Sequence, residues 1–358
     1  MICGGGAIGA STAYFLSRRG ADVVLVERTG IAYAASGKSG GFLAFDWCDG
    51  TPLQQLARRS FTLHARLADE IDGDWGYRRM TTYGGFGGAR SPGAGPAWVS
   101  EQVALDRRLG TTETTAQVHP ALYTRAMMRA AEALGAKVVT AEVAGIEPNG
   151  ASWRITTGDG ATLEGDAVVI AMGPWSVLAA KWLPLPPVYG LKGHSVVFDT
   201  GKRIPADALF LEVIEANGAA SSPEVFPRTD GTTYVCGISS ESPVPLDPAD
   251  VRPDPVAIDR LEAICRDISP VLRDAKILAR QACYRPVTRD GLPLIGSVAP
   301  GAYVATGHGV WGILNAPATG EAMAELILDG EAKSMDLSPF DPDREKPLDP
   351  ALIRRIST

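Results

Sequence analysis

Three glycines near the start of the chain restrict its fold more than any other feature. Gly4, Gly6 and Gly9 form a G-x-G-x-x-G pattern between a short apolar run, Ile2-Cys3, and a segment with helical spacing. That segment places Ala7, Ala10, Ala13, Tyr14 and Leu16 near one face and stops at Gly20. Val23-Val24-Leu25-Val26 then reads as a buried parallel strand ending at Glu27. Strand, glycine turn, helix, strand and acid together predict a dinucleotide-binding βαβ unit. The first glycine permits a tight turn, the second lets a pyrophosphate approach the backbone, and the third lets helix and strand pack closely. Phosphates then meet the N–H groups and positive dipole end of the helix around Gly6, Ala7 and Ile8. Glu27, with Arg28 beside it, stands where a carboxylate accepts from ribose hydroxyls, and its charge disfavours a 2′-phosphate. The strand before the glycines is short against the usual five or six residues or so. Either the start is clipped or this central strand is unusually brief.

The remaining composition excludes other classes. A net charge of −7 and scattered Lys and Arg argue against nucleic-acid binding. No run reaches the roughly 18 apolar residues of a membrane span. The chain starts at once with folding sequence, leaving no room for a targeting peptide, so a cytoplasmic location is expected. Five cysteines without C-x-x-C spacing and four dispersed histidines offer neither a disulfide framework nor a metal site.

Along the chain, residues 30 to 50 read as a structured loop, 52 to 71 as a helix, 84 to 97 as an exposed loop, and Pro120 onward as a helix ending at Gly135. Short strands follow near Val138, Val143, Trp153 and Leu163, with turns at Asn149-Gly150 and Asp159-Gly160. Val168 to Ala171 is a second buried strand that stops at Gly173-Pro174-Trp175. From Pro184 the pattern becomes that of an antiparallel sheet: Tyr189 to Phe198, Leu209 to Val213, Val225-Phe226, Tyr234 to Ile238 and Lys276 to Cys283, with one helix from Val256 to Ile268. Tyr303 to Thr306 then leads through Gly307-His308-Gly309 into a last helix. The expected fold class is α/β (α+β overall): a Rossmann-type cofactor domain (1–76, 115–183, 283–340) with an inserted, β-rich substrate domain (77–114, 184–282).

The loop after the second strand bears on which dinucleotide is bound. An NAD domain would continue as alternating strands and helices. This chain instead has Ala35, Ser36, Gly37, Lys38, Ser39, Gly40 and Gly41, small residues that can lie flat against a tricyclic ring and offer backbone N–H groups. That favours FAD over NAD and over a plain surface loop.

At these residues the chain resembles the FAD-dependent amino-acid and amine oxidase superfamily, which includes D-amino acid oxidase, glycine oxidase and sarcosine oxidase. Glu142-Val143 matches the segment whose backbone receives adenine, and Asp166 through Trp175 matches the second cofactor strand, with Ala171, Gly173 and Trp175 at the cofactor. Arg285 through Gly296 (RPVTRDGLPLIG) and Gly307 through Gly320 (GHGVWGILNAPATG) match its two C-terminal segments. Within the superfamily, the 36–41 loop, Asp46 to Gly50 and the run from His308 to Asn315 look most like a poorly characterised oxidoreductase group of plants, fungi and microbes.

The resemblance implies hydride transfer from the carbon bearing an amine to flavin N5, with the imine hydrolysing afterwards and oxygen or another acceptor taking the electrons. It makes Arg285 the grip on a substrate carboxylate, the alternative being an ion pair with Asp290. It places Gly309, Val310, Trp311, Gly312, Ile313 and Leu314 at the flavin, with N–H groups facing its N1–C2=O edge. Val310 stands where glycine-oxidase-like members carry a second arginine, which argues against a glycine-like substrate. His308 either touches the flavin or is a hydrogen-bonded loop histidine. Lys192 and His194 read mainly as solvated strand positions; Tyr189, Phe226 and Tyr234 either line the pocket or belong to the core. The 35–41 loop has no Cys or His, so FAD is expected to be noncovalent. The alternative function is a flavin-binding regulatory or trafficking protein with little turnover.

Overall fold

The structure, a computed structural model, describes residues 1–88, 96–215 and 218–354. One layer is a six-stranded sheet in the order Leu294–Ala299, Ala302–Thr306, Val168–Ile170, Ile2–Cys3, Val24–Glu27, Lys137–Thr140. Its strands run parallel except Leu294–Ala299, which is antiparallel to its neighbour. The central strand is two residues long, yet Ile2 pairs with both Val169 and Leu25, and Cys3 with both Ile170 and Val26. Strand order reverses here, so a crevice opens beyond the C-terminal ends of the strands, at the glycine turn. Helix α1 (Ala7–Arg18) leaves that turn, and α2 (Gln54–Glu70) and α3 (Pro120–Ala133) join it in one apolar core. The sequence predicts one apolar face for α1; instead the helix is buried on nearly all sides. Its two central hydroxyls are accommodated by bonds from Thr12 Oγ1 to the Ile8 carbonyl (2.8 Å) and between Ser11 and Tyr123 (3.1 Å).

The β-rich part is an eight-stranded sheet: Lys276–Val287, Tyr189–Asp199, Thr232–Glu241, Glu224–Pro227, Asp207–Ile214, Thr81–Gly87, Val103–Gly110, with Ala220–Ser221 beside Asp207–Ile214. Its neighbours are antiparallel except Asp207–Ile214 with Thr81–Gly87. Side chains alternate across it. Val196, Leu209, Val225 and Val235 pack under α4 (Pro255–Ile268) and α5 (Pro270–Asp274), while Phe210, Phe226, Tyr234 and Cys236 face the opposite way. A three-stranded antiparallel sheet (Val143–Asn149, Ser152–Thr157, Thr162–Gly165) turns at Gly150 and Gly160, both at positive φ. Another joins Phe42–Ala44, Thr115–Gln117 and Arg78–Arg79.

Two expectations shift. Residues 84–87 are strand rather than loop, because they pair with both Val103–Gly110 and Asp207–Ile214; 89–95 of that expected loop lie outside the described residues. The strand expected to end at Cys283 runs on to Val287, so Arg285 stands on the β-rich sheet, paired in register with Leu191. No helix among the described residues is long and apolar enough to cross a membrane.

The last long helix, α6 (Gly312–Asp329), contains Pro317, which cannot donate to the Ile313 carbonyl four residues earlier. Helix α2 supplies what is missing. His64 Nε2 lies 2.9 Å from the Ile313 oxygen and 3.1 Å from that of Leu314, and the Ala318 N–H donates to Ser60 Oγ at 3.1 Å. Ser60 and His64 are one helical turn apart, so a single face of α2 holds the broken first turns of α6. Replacing His64 with Leu leaves two buried carbonyls without this donor. The expected loss is ~2 kcal/mol or more of unfolding free energy, and ~1 kcal/mol for Ser60→Ala, read from denaturant midpoints.

Candidate active site

A cavity of about 630 Å³ runs from the glycine turn to the inward face of the β-rich sheet. At its first end the backbone of Gly4, Gly6, Ala7 and Ile8 lines the wall. Close packing makes this turn possible. A Cβ on Gly4, whose φ is +111°, would sit 2.4 Å from the Ala171 oxygen, and one on Gly9 would sit 2.0 Å from the Gly4 oxygen. Gly9 therefore packs the helix against the turn and does not itself line the cavity. Glu27 does line it, with Oε2 accepting from Gly5 N–H (2.7 Å) and Oε1 from Thr29 N–H and hydroxyl (both 2.9 Å). Ser36 Oγ accepts from Ala7 N–H at 2.9 Å, at the mouth of α1. Arg28 spans to Asp247 (3.2 Å) and Glu142 (3.4 Å), and Trp175 Nε1 donates to the Pro245 carbonyl at 2.8 Å. Val143, Ala171 and Gly173 complete this end.

The 35–41 loop forms the next stretch of wall through Ser36, Ser39, Gly40 and Gly41. It is held by Arg228, whose Nη2 donates to the Ser39 carbonyl at 2.9 Å. A Cβ on Gly40 would meet the Phe226 ring at 2.4 Å, and Gly41 has φ +78°. Lys38 does not itself line the cavity; its Nζ lies 5.3 Å from the centre of the Tyr33 ring, which does. Ser39 Oγ is buried without a hydrogen-bond partner in a residue that lines the cavity. This orphaned hydroxyl, the open glycine cradle and the helix N-terminus facing the cavity suit a dinucleotide carrying both phosphates and further polar edges.

The far end is walled by aromatic rings. Phe42 lies 5.0 Å from Trp47 and from Phe210, and 5.4 Å from Phe226; Trp47 lies 6.3 Å from Trp311. Arg285 enters this chamber half-buried, its Nη1 donating to Ser239 Oγ at 3.1 Å. Gly193 allows that reach, since a Cβ there would lie 3.2 Å from Nη2. The alternative pairing with Asp290 does not form: Arg344 takes Asp290 at 2.7 Å and holds its carboxyl down at about 2. Among the described residues Arg285 makes no ion pair, so its guanidinium is available to a ligand.

Beyond Thr306, Gly309, Val310, Trp311, Gly312 and Ile313 line the cavity, while Leu314 is buried in the core beside α2. Val310 is 64% exposed and, being aliphatic, brings no charge to the site. His308 lines the cavity but is buried, its Nε2 3.0 Å from Thr319 Oγ1, and burial holds it down at about 3. It is therefore a neutral, hydrogen-bonded imidazole near neutral pH. Lys192 and His194 flank Gly193 and so face away from the cavity; His194 is buried against the Ile238 carbonyl (3.3 Å) rather than solvated. Phe226 and Tyr234 line the cavity; Tyr189 is exposed and does not.

Several lining residues escaped the sequence: Trp47, Phe42, Phe210, Glu224, Cys236 and Cys283. The signal for two of them was present. Glu224 is two residues before Phe226 and Cys236 two after Tyr234, and alternate strand residues share a face. Trp47, Phe42 and Phe210 sit on separate elements that only the fold brings together.

A profile of the family described as FAD dependent oxidoreductase matches residues 1–326, and the chain belongs to that family. Its nucleotide-binding half is accordingly an FAD-binding fold. A putative oxidoreductase of Schizosaccharomyces pombe is 31% identical, over 96% of this chain and 97% of that protein. Glycine oxidase of Geobacillus kaustophilus is 27% identical, over 95% of each. Its crystal structure superposes with a TM-score of 0.79 at 25% identity, covering 96% of this chain and 98% of that one. An L-proline dehydrogenase from P. horikoshii shares the fold at TM-score 0.79 and 20% identity, over 96% of each chain.

All four histidines are pushed below their ordinary range, chiefly by burial, with His64 at about 4 and His308 at about 3. Unfolded, each binds a proton near pH 6.5; folded, His64 and His308 stay neutral well below that. Stability from these groups is therefore full above pH 6.5 and falls as pH drops towards 4, by ~1.4 kcal/mol per pH unit for each fully suppressed imidazole. His308→Asn removes one contribution. The stability gap between wild type and this variant should narrow as pH falls from 7 to 5; a constant gap in urea midpoints would contradict the assignment.

Proposed function

We propose that this chain is an FAD-dependent oxidoreductase that oxidises the C–N bond of a small amine or amino acid. One observation carries the reading: Arg285, free of any ion pair among the described residues, stands in an aromatic-walled chamber continuous with the dinucleotide cradle. A guanidinium in such a chamber can take a carboxylate by two parallel hydrogen bonds and so fix the direction of the Cα–H bond. FAD, when bound, supplies the hydride acceptor at N5, and oxygen or another acceptor then receives the electrons. Gly4, Gly6, Ala7 and Ile8 would hold the pyrophosphate, Glu27 the ribose, and Val143 the adenine. The 36–41 loop and the start of α6 would hold the ring system, with the α6 N–H groups favouring negative charge at its edge. The rings of Trp47, Phe210, Phe226 and Trp311 exclude water from the reacting carbon. The likeness to the S. pombe protein supports placing the chain with the poorly characterised oxidoreductase group rather than with glycine oxidases, as does Val310 in place of a second arginine.

FAD is proposed to be noncovalent. The cysteines that reach the cavity, Cys236 and Cys283, are pushed up by burial, so they are protonated thiols and poor nucleophiles. Acid precipitation should leave all the flavin in solution; flavin that stays with the precipitate would contradict this.

The main test is the visible spectrum of the purified protein under anaerobic conditions, with D-, L- and N-methyl amino acids. Bleaching by one of them is expected, and Arg285→Leu should retain flavin yet lose at least ~100-fold in kcat/KM for a substrate bearing a carboxylate. A flavin band that nothing bleaches would instead favour a flavin-binding protein with a regulatory or trafficking role.

A further inference from the structure

The chamber also holds a carboxyl side chain, Glu224, which the function above does not use. Glu224 lies on the Glu224–Pro227 strand, opposite Cys236 in register, and its side chain lines the same cavity as Arg285. Its Oε2 accepts from Cys236 Sγ at 3.4 Å. Among the described residues Glu224, like Arg285, makes no ion pair, although the two face one cavity from the same side of one sheet. The strand Thr232–Glu241, carrying Tyr234 and Cys236, and the strand Tyr189–Asp199, open at Gly193, separate their backbones. The two groups stand with two strands between them on one floor of an aromatic chamber, near enough to feel each other's charge but without a direct ion pair. Burial pushes the Glu224 carboxyl up, and Arg285 partly offsets this.

Groups that compensate each other only in part, with no direct ion pair, remain costly in such a place until a ligand completes them. A simple carboxylate completes only Arg285 and is repelled by Glu224. A simple amine does the reverse. A molecule carrying both charges completes both. Resting on the amine-oxidising reading above, we infer that Glu224 and Arg285 together select a zwitterionic amino acid: Arg285 takes its carboxylate, and Glu224 accepts from its protonated nitrogen. Glu224 is then the specificity residue that discriminates amino acids from plain organic acids.

The test uses the FAD-loaded protein and two probes of one carbon skeleton, 2-aminoisobutyrate and isobutyrate. The first is a zwitterion without a Cα–H bond, so it binds without being oxidised; the second lacks the nitrogen. Dissociation constants are read from perturbation of the flavin band and from calorimetry. Wild type should prefer the zwitterion. In Glu224→Gln, which keeps the shape, 2-aminoisobutyrate should bind about tenfold more weakly and isobutyrate about fivefold more tightly, because an attraction is lost for one and a repulsion for the other. Both probes shifting in the same direction, neither shifting, or wild type binding neither would overturn the inference. Arg285→Leu separates the two readings. If it weakens both probes while Glu224→Gln leaves them unchanged, the carboxylate grip stands and the Glu224 assignment fails. If Arg285→Leu changes neither probe, the proposed substrate chamber itself fails.

Discussion

Gly9 comes so close to the Gly4 carbonyl, and Gly4 to that of Ala171, that a methyl group at either position would overlap backbone. These contacts set the start of α1 directly beyond the two-residue central strand and turn its N-terminus towards the cavity. Everything at the nucleotide end follows from this. The strand can be as short as Ile2-Cys3 because it is paired on both sides, and the helix can be nearly surrounded because its first turns are mostly alanine, glycine and small hydroxyl residues. Gly320 of α6 continues the pattern, lying where a Cβ would be 2.6 Å from the Ser11 carbonyl carbon. Close backbone approach at these glycines sets the geometry of the turn, and the large apolar side chains of α1, α2 and α3 fill the core behind it.

The other half works by alternation. One face of the large sheet is an aliphatic layer beneath α4, and the other is the aromatic and polar chamber wall. A glycine at 193 lets the Arg285 guanidinium lie across the sheet, which the neighbouring Lys192 and His194 could not do because they face the other side. The two halves meet through α6. Its first turns lie against the cavity, and Pro317 would weaken them were their free carbonyls not taken up by His64. A buried neutral histidine behind the cavity wall thus maintains the segment expected to face the flavin edge.

Electrostatics divides the site in the same way. The nucleotide end offers N–H groups, a helix terminus and Glu27, whose carboxylate is already oriented by Gly5 and Thr29. The chamber carries Arg285 and Glu224, which act on each other without a direct ion pair, among rings and high-pKa thiols. Asp290, close to Arg285 in sequence, is removed from the chamber's charge balance by Arg344, a residue 54 positions away. That exchange of partners leaves Arg285 open to a ligand.

Local patterns determined the βαβ opening, the hairpins at Asn149-Gly150 and Asp159-Gly160, the antiparallel character of the middle of the chain and most of the residues around the nucleotide end. Those features depend on neighbours a few residues apart: glycine conformation, period two or period 3.6, and turn chemistry. The tertiary structure alone decided that residues 84–87 are strand, that Lys38 and Leu314 do not line the cavity, that Asp290 belongs to Arg344, and that Trp47, Phe42 and Phe210 share one chamber with Glu224 and Arg285. Each of these depends on which strand lies beside which and which face turns inward, and such pairings are set by packing between segments far apart in the chain, where no local periodicity carries the information.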